Sequence, residues 1–236
     1  MPKTFKHSGD LGDVIFSLPT IRALGGGILL LDPEGGLSNP MIKWKGRVAT
    51  KMNAVAVDFI SPLLALQPYI TEVRHWKGEA VDYDLDQFRN HVRFNNLADS
   101  HLAAFGLPSS ERDTAWLQVS DPITIPDRPI VISRSPRYQG SHFFWECIFF
   151  DFKDKAIFVG LPKEHEYFMY ATGHQVPYYP TPDVVTLARV IAGAEEFMSN
   201  QGLPHAIAEG MKKKLINEYD RVYPAAVFKR PGARYV

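Results

Sequence analysis

The hexapeptide Ser8-Gly9-Asp10-Leu11-Gly12-Asp13 constrains this chain more than any other stretch, because of what flanks it. Residues 4–7 read as a short strand. After the hexapeptide, Val14, Leu18, Ile21 and Leu24 recur at helical spacing, which predicts an amphipathic helix over residues 14–24 with Pro19 inside it. Gly25, Gly26 and Gly27 end that pattern, and residues 28–31 form a second apolar strand. Strand, glycine-containing turn, helix and strand in so short a span form a βαβ unit. Such units build parallel sheets.

The middle of the chain is less regular. Residues 54–66 read as helical, 72–76 as extended, and 81–85 (VDYDL) alternate as a half-buried strand does. Residues 97–105 read as a helix closed by Gly106. Residues 107–129 carry Pro108, Pro122, Pro126 and Pro129, and we expect the domain boundary there, giving domains 1–122 and 123–236. Beyond it the alternation restarts. Strands are expected at 130–133, 156–160 and 195–199, with a helix capped by Thr181 and opened by Pro182. That helix sets Leu187, Ile191 and Ala194 on one face. Another helix opens at Pro204 after Gln201-Gly202. The expected architecture is α/β, with two doubly wound domains facing a cleft and ligands beyond the carboxyl ends of the strands.

Composition removes several function classes. Lys plus Arg and Asp plus Glu are each 26, so no global field draws the chain to nucleic acid or anionic lipid. A single cysteine, Cys147, excludes an internal disulfide and a zinc site of several cysteines, and fits a reducing, cytoplasmic setting. Residues 1–13 lack the apolar stretch of a signal peptide, and no run of apolar residues is long enough to span a bilayer.

Four segments carry residues suited to chemistry. In the hexapeptide, Gly9 and Gly12 permit a tight turn, and Asp13 stands where the helix dipole favours a carboxylate. Asp13 is then either a helix cap or a general base toward a bound hydroxyl, with Ser8, Gly9, Asp10 and Gly12 forming an acceptor or phosphate loop. The spacing is neither a dinucleotide fingerprint nor a P-loop. Residues 133–139 (SRSPRYQ) place Arg134 and Arg137 at a strand end, where guanidinium groups match phosphate. The alternative is two solvated loop arginines. Residues 159–168 (VGLPKEHEYF) bring Glu164, His165 and Glu166 just past a strand. Glu164 there either accepts hydrogen bonds from a ribose diol or is an ordinary first-turn acid. Residues 199–210 (SNQGLPHAIAEG) join a strand to a helix start whose unpaired amides suit an anion. His205 either donates to a phosphate or packs between sheet and helix. Packing is the expectation for His7, Tyr138 and Trp145. Residues 212–214 read as a solvated helix face, and residues 211–236 hold seven basic and two acidic side chains, 7 − 2 = +5.

Taken in order, HSGDLGDVIFSLPTIRAL, ISRSPRYQ, FVGLPKEHEYF and FMSNQGLPHAIAEG resemble the glycosyltransferase family that includes the lipopolysaccharide heptosyltransferases, family 9. The resemblance implies the two-domain GT-B fold, with an acceptor-side Rossmann-like domain first and a nucleotide-sugar-binding one second. For the basic segment 211–236, read from its residues, two readings stand: binding of an anionic acceptor and packing back on the first domain. The resemblance also implies inverting transfer of a sugar from a nucleotide-sugar, without an essential metal or other cofactor. Asp13 matches the general base, Arg134 and Arg137 the groups facing the donor phosphates, Glu164 the ribose contact, and Gly202 and His205 the phosphate-binding helix start. Asn200 and Gln201 are expected with these in donor binding, Asn200 standing where the family commonly has Asp and Gln201 where it has a small hydroxyl residue. The acceptor is left open among a glycan, a lipid-linked saccharide, a protein and a modified nucleic acid. Two other readings compete: a non-catalytic nucleotide- or sugar-binding scaffold of the same fold, and a nucleotide-sugar epimerase.

Overall fold

The structure is a computed structural model and describes residues 1–34, 43–44, 47–48, 52–91, 96–140, 145 and 152–236; Cys147 lies outside them. The chain forms two compact units, Met1–Trp116 and Leu117–Val236.

In the first unit the order is β1 (Lys3–His7), α1 (Leu11–Ala23), β2 (Gly27–Leu31), β3 (Lys43–Trp44), β4 (Arg47–Val48), α2 (Ala54–Ala65), β5 (Ile70–His75), β6 (Tyr83–Asp84), a 3₁₀ turn Leu85–Asn90 and α3 (Leu97–Ala104). β3 and β4 pair antiparallel as a two-stranded ribbon. The main sheet runs β5-β2-β1-β6 with all neighbours parallel. Strand order therefore reverses between β1 and β6, the switch point at which open α/β sheets bind ligands.

α1 differs from the amphipathic helix expected. It begins three residues earlier, and every residue from Val14 to Ile21 is buried. The cause is contact on several sides: α1 packs against α3 and against the 3₁₀ turn Ser109–Arg112 as well as the sheet core. Arg22, at its end, donates to the carbonyls of Ala115 and Glu111, tying the last turn down. The alternating 81–85 segment yields only two strand residues. Asp82 spends its side chain on the Thr4 amide (2.8 Å) and hydroxyl (2.9 Å) in place of ladder bonds, and the chain then tightens into the 3₁₀ turn.

The second unit contains β7 (Ile130–Ser133), β8 (Ala156–Phe158), α4 (Pro162–Thr172), α5 (Val184–Gly193), β9 (Glu196–Asn200), α6 (Leu203–Gly210), β10 (Leu215–Glu218) and β11 (Ala233–Tyr235). Its parallel sheet runs β11-β10-β9-β7-β8, so order reverses between β7 and β9. Ile130, Ile132, Phe158, Phe168, Met198 and Ile216 interlock in its core, with Trp145 edge-on to Phe168 at 5.2 Å.

Three local expectations are corrected here. The cap of α5 is Asp183, not Thr181: its Oδ1 accepts the Thr186 amide at 2.7 Å, so Pro182 precedes the helix. Pro204 is the second residue of α6, after Gly202 as cap and Leu203. Residues 212–214 form a turn rather than a helix face. Lys213 donates to the carbonyls of Ala192 (2.9 Å) and Ala194 (2.7 Å), closing the end of α5, and burial lowers its pKa. The C-terminal residues supply β10 and β11 of this unit's own sheet.

Candidate functional site

Each unit gathers its polar side chains at the switch point of its sheet. In the first unit, β1 exits into Ser8 and β6 exits into Asp86. The Asp86 carboxylate grips Ser8 twice, accepting its amide at 3.0 Å and its hydroxyl at 2.6 Å. Lys6 donates to it at 2.7 Å, and Arg89 pairs with it at 2.6 Å. The glycine that follows is sterically required: a Cβ on Gly9 would stand 2.6 Å from His7 Cε1 and 2.8 Å from Asp13 Oδ2. The Gly9 amide donates to His7 Nδ1 at 2.8 Å. Asp10 caps α1 in extended conformation, and its amide donates to Asp13 Oδ2 at 3.2 Å. Asp13 therefore does cap. A carboxylate offers about four acceptor positions, so a cap on one oxygen is compatible with service as a base. Ser8, Gly9, Asp10, Gly12 and Asp13 are thus brought together where β1 turns into the first turn of α1.

Below that loop, His7 and His101 are wholly buried, with Nε2 atoms 3.5 Å apart and both rings against Phe88. Because His7 Nδ1 accepts from Gly9, its proton sits on Nε2 and the ring is neutral. Burial pushes the His7 pKa down to about 4, with Arg89 and Lys6 adding to the effect and Asp86 opposing it. His101 is lowered well below its usual value for the same first reason. Burial alone would raise the Asp86 carboxyl. The charge His7 takes up in acid, the Lys6 and Ser8 hydrogen bonds and the Arg89 guanidinium reverse this and hold it well below the usual carboxylate range.

All three shifts act in one direction on stability. The unfolded chain binds more protons than the folded one below the ordinary histidine pKa, so acid favours unfolding. We expect the first unit to keep full stability above about pH 6.5 and to lose about 3 kcal/mol through His7 alone as pH falls toward 4. Urea unfolding at pH 7, 5.5 and 4.5 measures this, and a flat profile contradicts a buried neutral His7.

The second unit's switch point is closed by Asn200. Its Oδ1 accepts the Ser135 amide at 2.9 Å, while its Nδ2 donates to the carbonyls of Ser135 (2.9 Å) and Arg137. Two of these bonds need a donor that aspartate lacks, which gives the amide at this position a physical reason. Asn200→Asp would set a charge against two carbonyl oxygens, and we expect it to cost this unit about 1–3 kcal/mol in urea unfolding. Gln201 is also buried, donating to the Tyr223 carbonyl (2.7 Å) and accepting the Asp220 amide (2.9 Å). It holds the segment after β10 rather than facing solvent. Gly202, exposed and extended, is the cap of α6 and adds no side chain at its start.

The two arginines after β7 part company. Arg137 is exposed and lies over the Tyr138 ring. Arg134 is turned inward. Its Nε and Nη2 donate to Glu218 at 2.6 and 3.0 Å, and Trp145 Nε1 donates to the same carboxylate at 3.0 Å. His205 takes the packing alternative: its ring is fully buried, Nε2 donates to the Ala226 carbonyl at 2.9 Å, and burial lowers its pKa. Glu164 sits past β8, its Oε2 accepting the Leu161 amide at 3.0 Å; burial raises its pKa, that hydrogen bond opposing. Gly160 leaves the room it needs, since a Cβ there would stand 2.9 Å from Glu164 Oε2. His165 donates to the Val176 carbonyl and stacks on Tyr178, a packing role.

Sequence reasoning missed Asp86, Arg89 and Glu218. The one available signal was that Asp86 stands directly after the alternating 81–85 pattern. Among the described residues no group of three or more His, Cys, Asp or Glu is arranged to hold a metal ion, and no helix is long and apolar enough to cross a membrane.

Neither a protein-family model nor a curated protein matches the sequence. Solved structures do match in fold. The glycosyl transferase family 9 protein from Veillonella parvula DSM 2008 aligns with a TM-score of 0.63 and 12% identity, over 99% of this chain and 86% of that one. Escherichia coli heptosyltransferase WaaC, solved with ADP-2-deoxy-2-fluoro heptose, aligns at 0.59 and 10% identity, over 100% and 93%. The dodecameric iron-containing heptosyltransferase TibC, in complex with ADP-D-beta-D-heptose, aligns at 0.60 and 12% identity, over 98% of this chain and 62% of that one. The chain therefore has the fold shared by glycosyltransferase family 9 and the heptosyltransferases.

Proposed function

We propose that this protein is a glycosyltransferase that moves a sugar from a nucleotide-sugar donor to an acceptor hydroxyl, with inversion and without a metal, in a cytoplasmic setting. In this reading Asp13 accepts the proton of the acceptor hydroxyl as its oxygen attacks the anomeric carbon. The bond from that carbon to the phosphate oxygen breaks, and the nucleoside diphosphate leaves with the electron pair. The backbone amides and the dipole at the start of α6, together with the Arg137 guanidinium, stabilise the departing charge, and Glu164 receives hydrogen bonds from the ribose. The observation that carries the reading is the position of Asp13 in the first turn of α1, directly beyond the carboxyl end of β1. The likeness to heptosyltransferase structures solved with ADP-sugars supports it.

The test is a thermal-shift screen over nucleoside diphosphates and their sugars, ADP-sugars first. A ligand at 100 times its Kd adds about 2.7 kcal/mol. Glu164→Ala is expected to weaken the nucleotide that binds about 10- to 100-fold, the loss of hydrogen bonds to a charged group. Absence of a shift with every nucleotide overturns the reading. One observation favours a non-catalytic scaffold as the second reading: Glu218 engages Arg134, removing a cation the resemblance assigns to the donor phosphates. A donor that binds but is never consumed with any acceptor selects that alternative.

A further inference from the structure

The basic C-terminal segment is unused by the proposed reaction, and the structure gives it a shape. A cavity of about 620 Å³ opens in the second unit between the 219–232 crossover and β11, lined by Tyr219, Val227, Lys229, Arg230, Arg234 and Tyr235 among others. No acid is among its lining residues. Its three cations differ in kind. Arg230 is fixed: its Nε bonds both oxygens of the wholly buried Glu209, Nη1 donates to the Pro231 carbonyl and Nη2 to the Lys213 carbonyl. Glu209 also receives Lys212, so its charge is already shared between two cations. Lys229 and Arg234 are exposed, and no acid pairs with either among the described residues. One wall of the cavity is thus rigid and two uncompensated cations stand at it.

We infer that this cavity is a second ligand site, distinct from the switch-point groups, for a small phosphate-bearing molecule. The volume lies in the range of small-molecule sites. The cations supply charge-assisted bonds to phosphate oxygens. Tyr219, with the apolar Val227, lines the same cavity and suits the sugar or base that carries the phosphate, while Tyr235, edge-on to the buried His205 at 5.8 Å, forms its fixed wall. The inference does not depend on sugar transfer. Phosphate on a free sugar and phosphate on a nucleotide share this chemistry, and the arms of the test separate them.

The experiment is a titration of the full chain, labelled with nitrogen-15 in arginine, against orthophosphate, pyrophosphate, glucose 1-phosphate and ADP at low salt. The Arg234 Nε signal, assigned by its loss in Arg234→Lys, is followed in each. A saturable shift of that signal is expected with at least one probe, and the tightest names the ligand class. Lys229→Ala/Arg234→Ala is expected to lower that probe's affinity, measured by calorimetry, at least tenfold. Both side chains are exposed, so the unfolding midpoint should hold. Glu164→Ala should leave the Arg234 shift intact, which separates this site from donor binding. No shift of Arg234 with any probe overturns the inference, as does unchanged affinity in the double variant.

Discussion

Glu218→Ala is expected to destabilise the second unit by about 3–5 kcal/mol, the cost of leaving a buried charge without its partner. Glu218 is 0% exposed, and the Arg134 side chain is 9% exposed. The carboxylate receives two guanidinium bonds and the Trp145 indole N–H, and the guanidinium also lies over that indole at 5.7 Å. Removing the carboxylate strips three donors of their acceptor at once. Against a typical total of 5–15 kcal/mol, such a loss takes a large share of the stability. A paired replacement, Arg134→Met with Glu218→Leu, is expected to restore most of it, because a buried ion pair contributes little beyond a well-packed apolar pair. Urea midpoints for the single and double variants decide the matter. A loss below about 1 kcal/mol in Glu218→Ala would mean that water replaces the carboxylate.

The same pair marks where sequence reading runs out. β1, α1, β2, β7 and β9 were legible because hydrophobic periodicity and glycine punctuation are local signals, and each element reports its own burial. The Ser8–Asp13 loop was legible for the same reason, its turn, cap and helix start being contiguous. Arg134 read as a phosphate ligand because its position at a strand end is visible in sequence, while its partner lies 84 residues away. Asp86 was missed although it anchors Ser8 from 78 residues away. Strand order decides both pairings, and no local pattern encodes strand order. Asn200 and His205 illustrate a second limit: residue type announces hydrogen-bonding capacity but not whether a ligand or the chain's own carbonyls will use it. The all-round burial of α1 follows from what packs beyond it, including a turn at residues 109–112 that carries no apolar stripe of its own.

Asp13→Asn bears on the chemistry itself, and its expected effect is the largest. The substitution keeps shape and an acceptor oxygen for the Asp10 amide, so the cap and the loop that Asp86 anchors should survive. Stability should stay within about 1 kcal/mol of wild type. The amide cannot take up a proton at working pH, so general-base assistance, worth about 10²- to 10⁴-fold, is lost. We therefore expect turnover with the nucleotide-sugar found by thermal shift to fall by that factor while donor affinity changes less than about threefold. Asp13→Ala removes cap and base together and should add a measurable stability loss to the same loss of rate, separating the two roles of one carboxylate. Asp86→Asn supplies the contrast. It keeps an acceptor for Ser8 but gives up the charge that balances Lys6 and Arg89, and so should lower stability more than Asp13→Asn does. If Asp13→Asn turns over at the wild-type rate, Asp13 is a helix cap alone, and the base must be sought elsewhere in the chain.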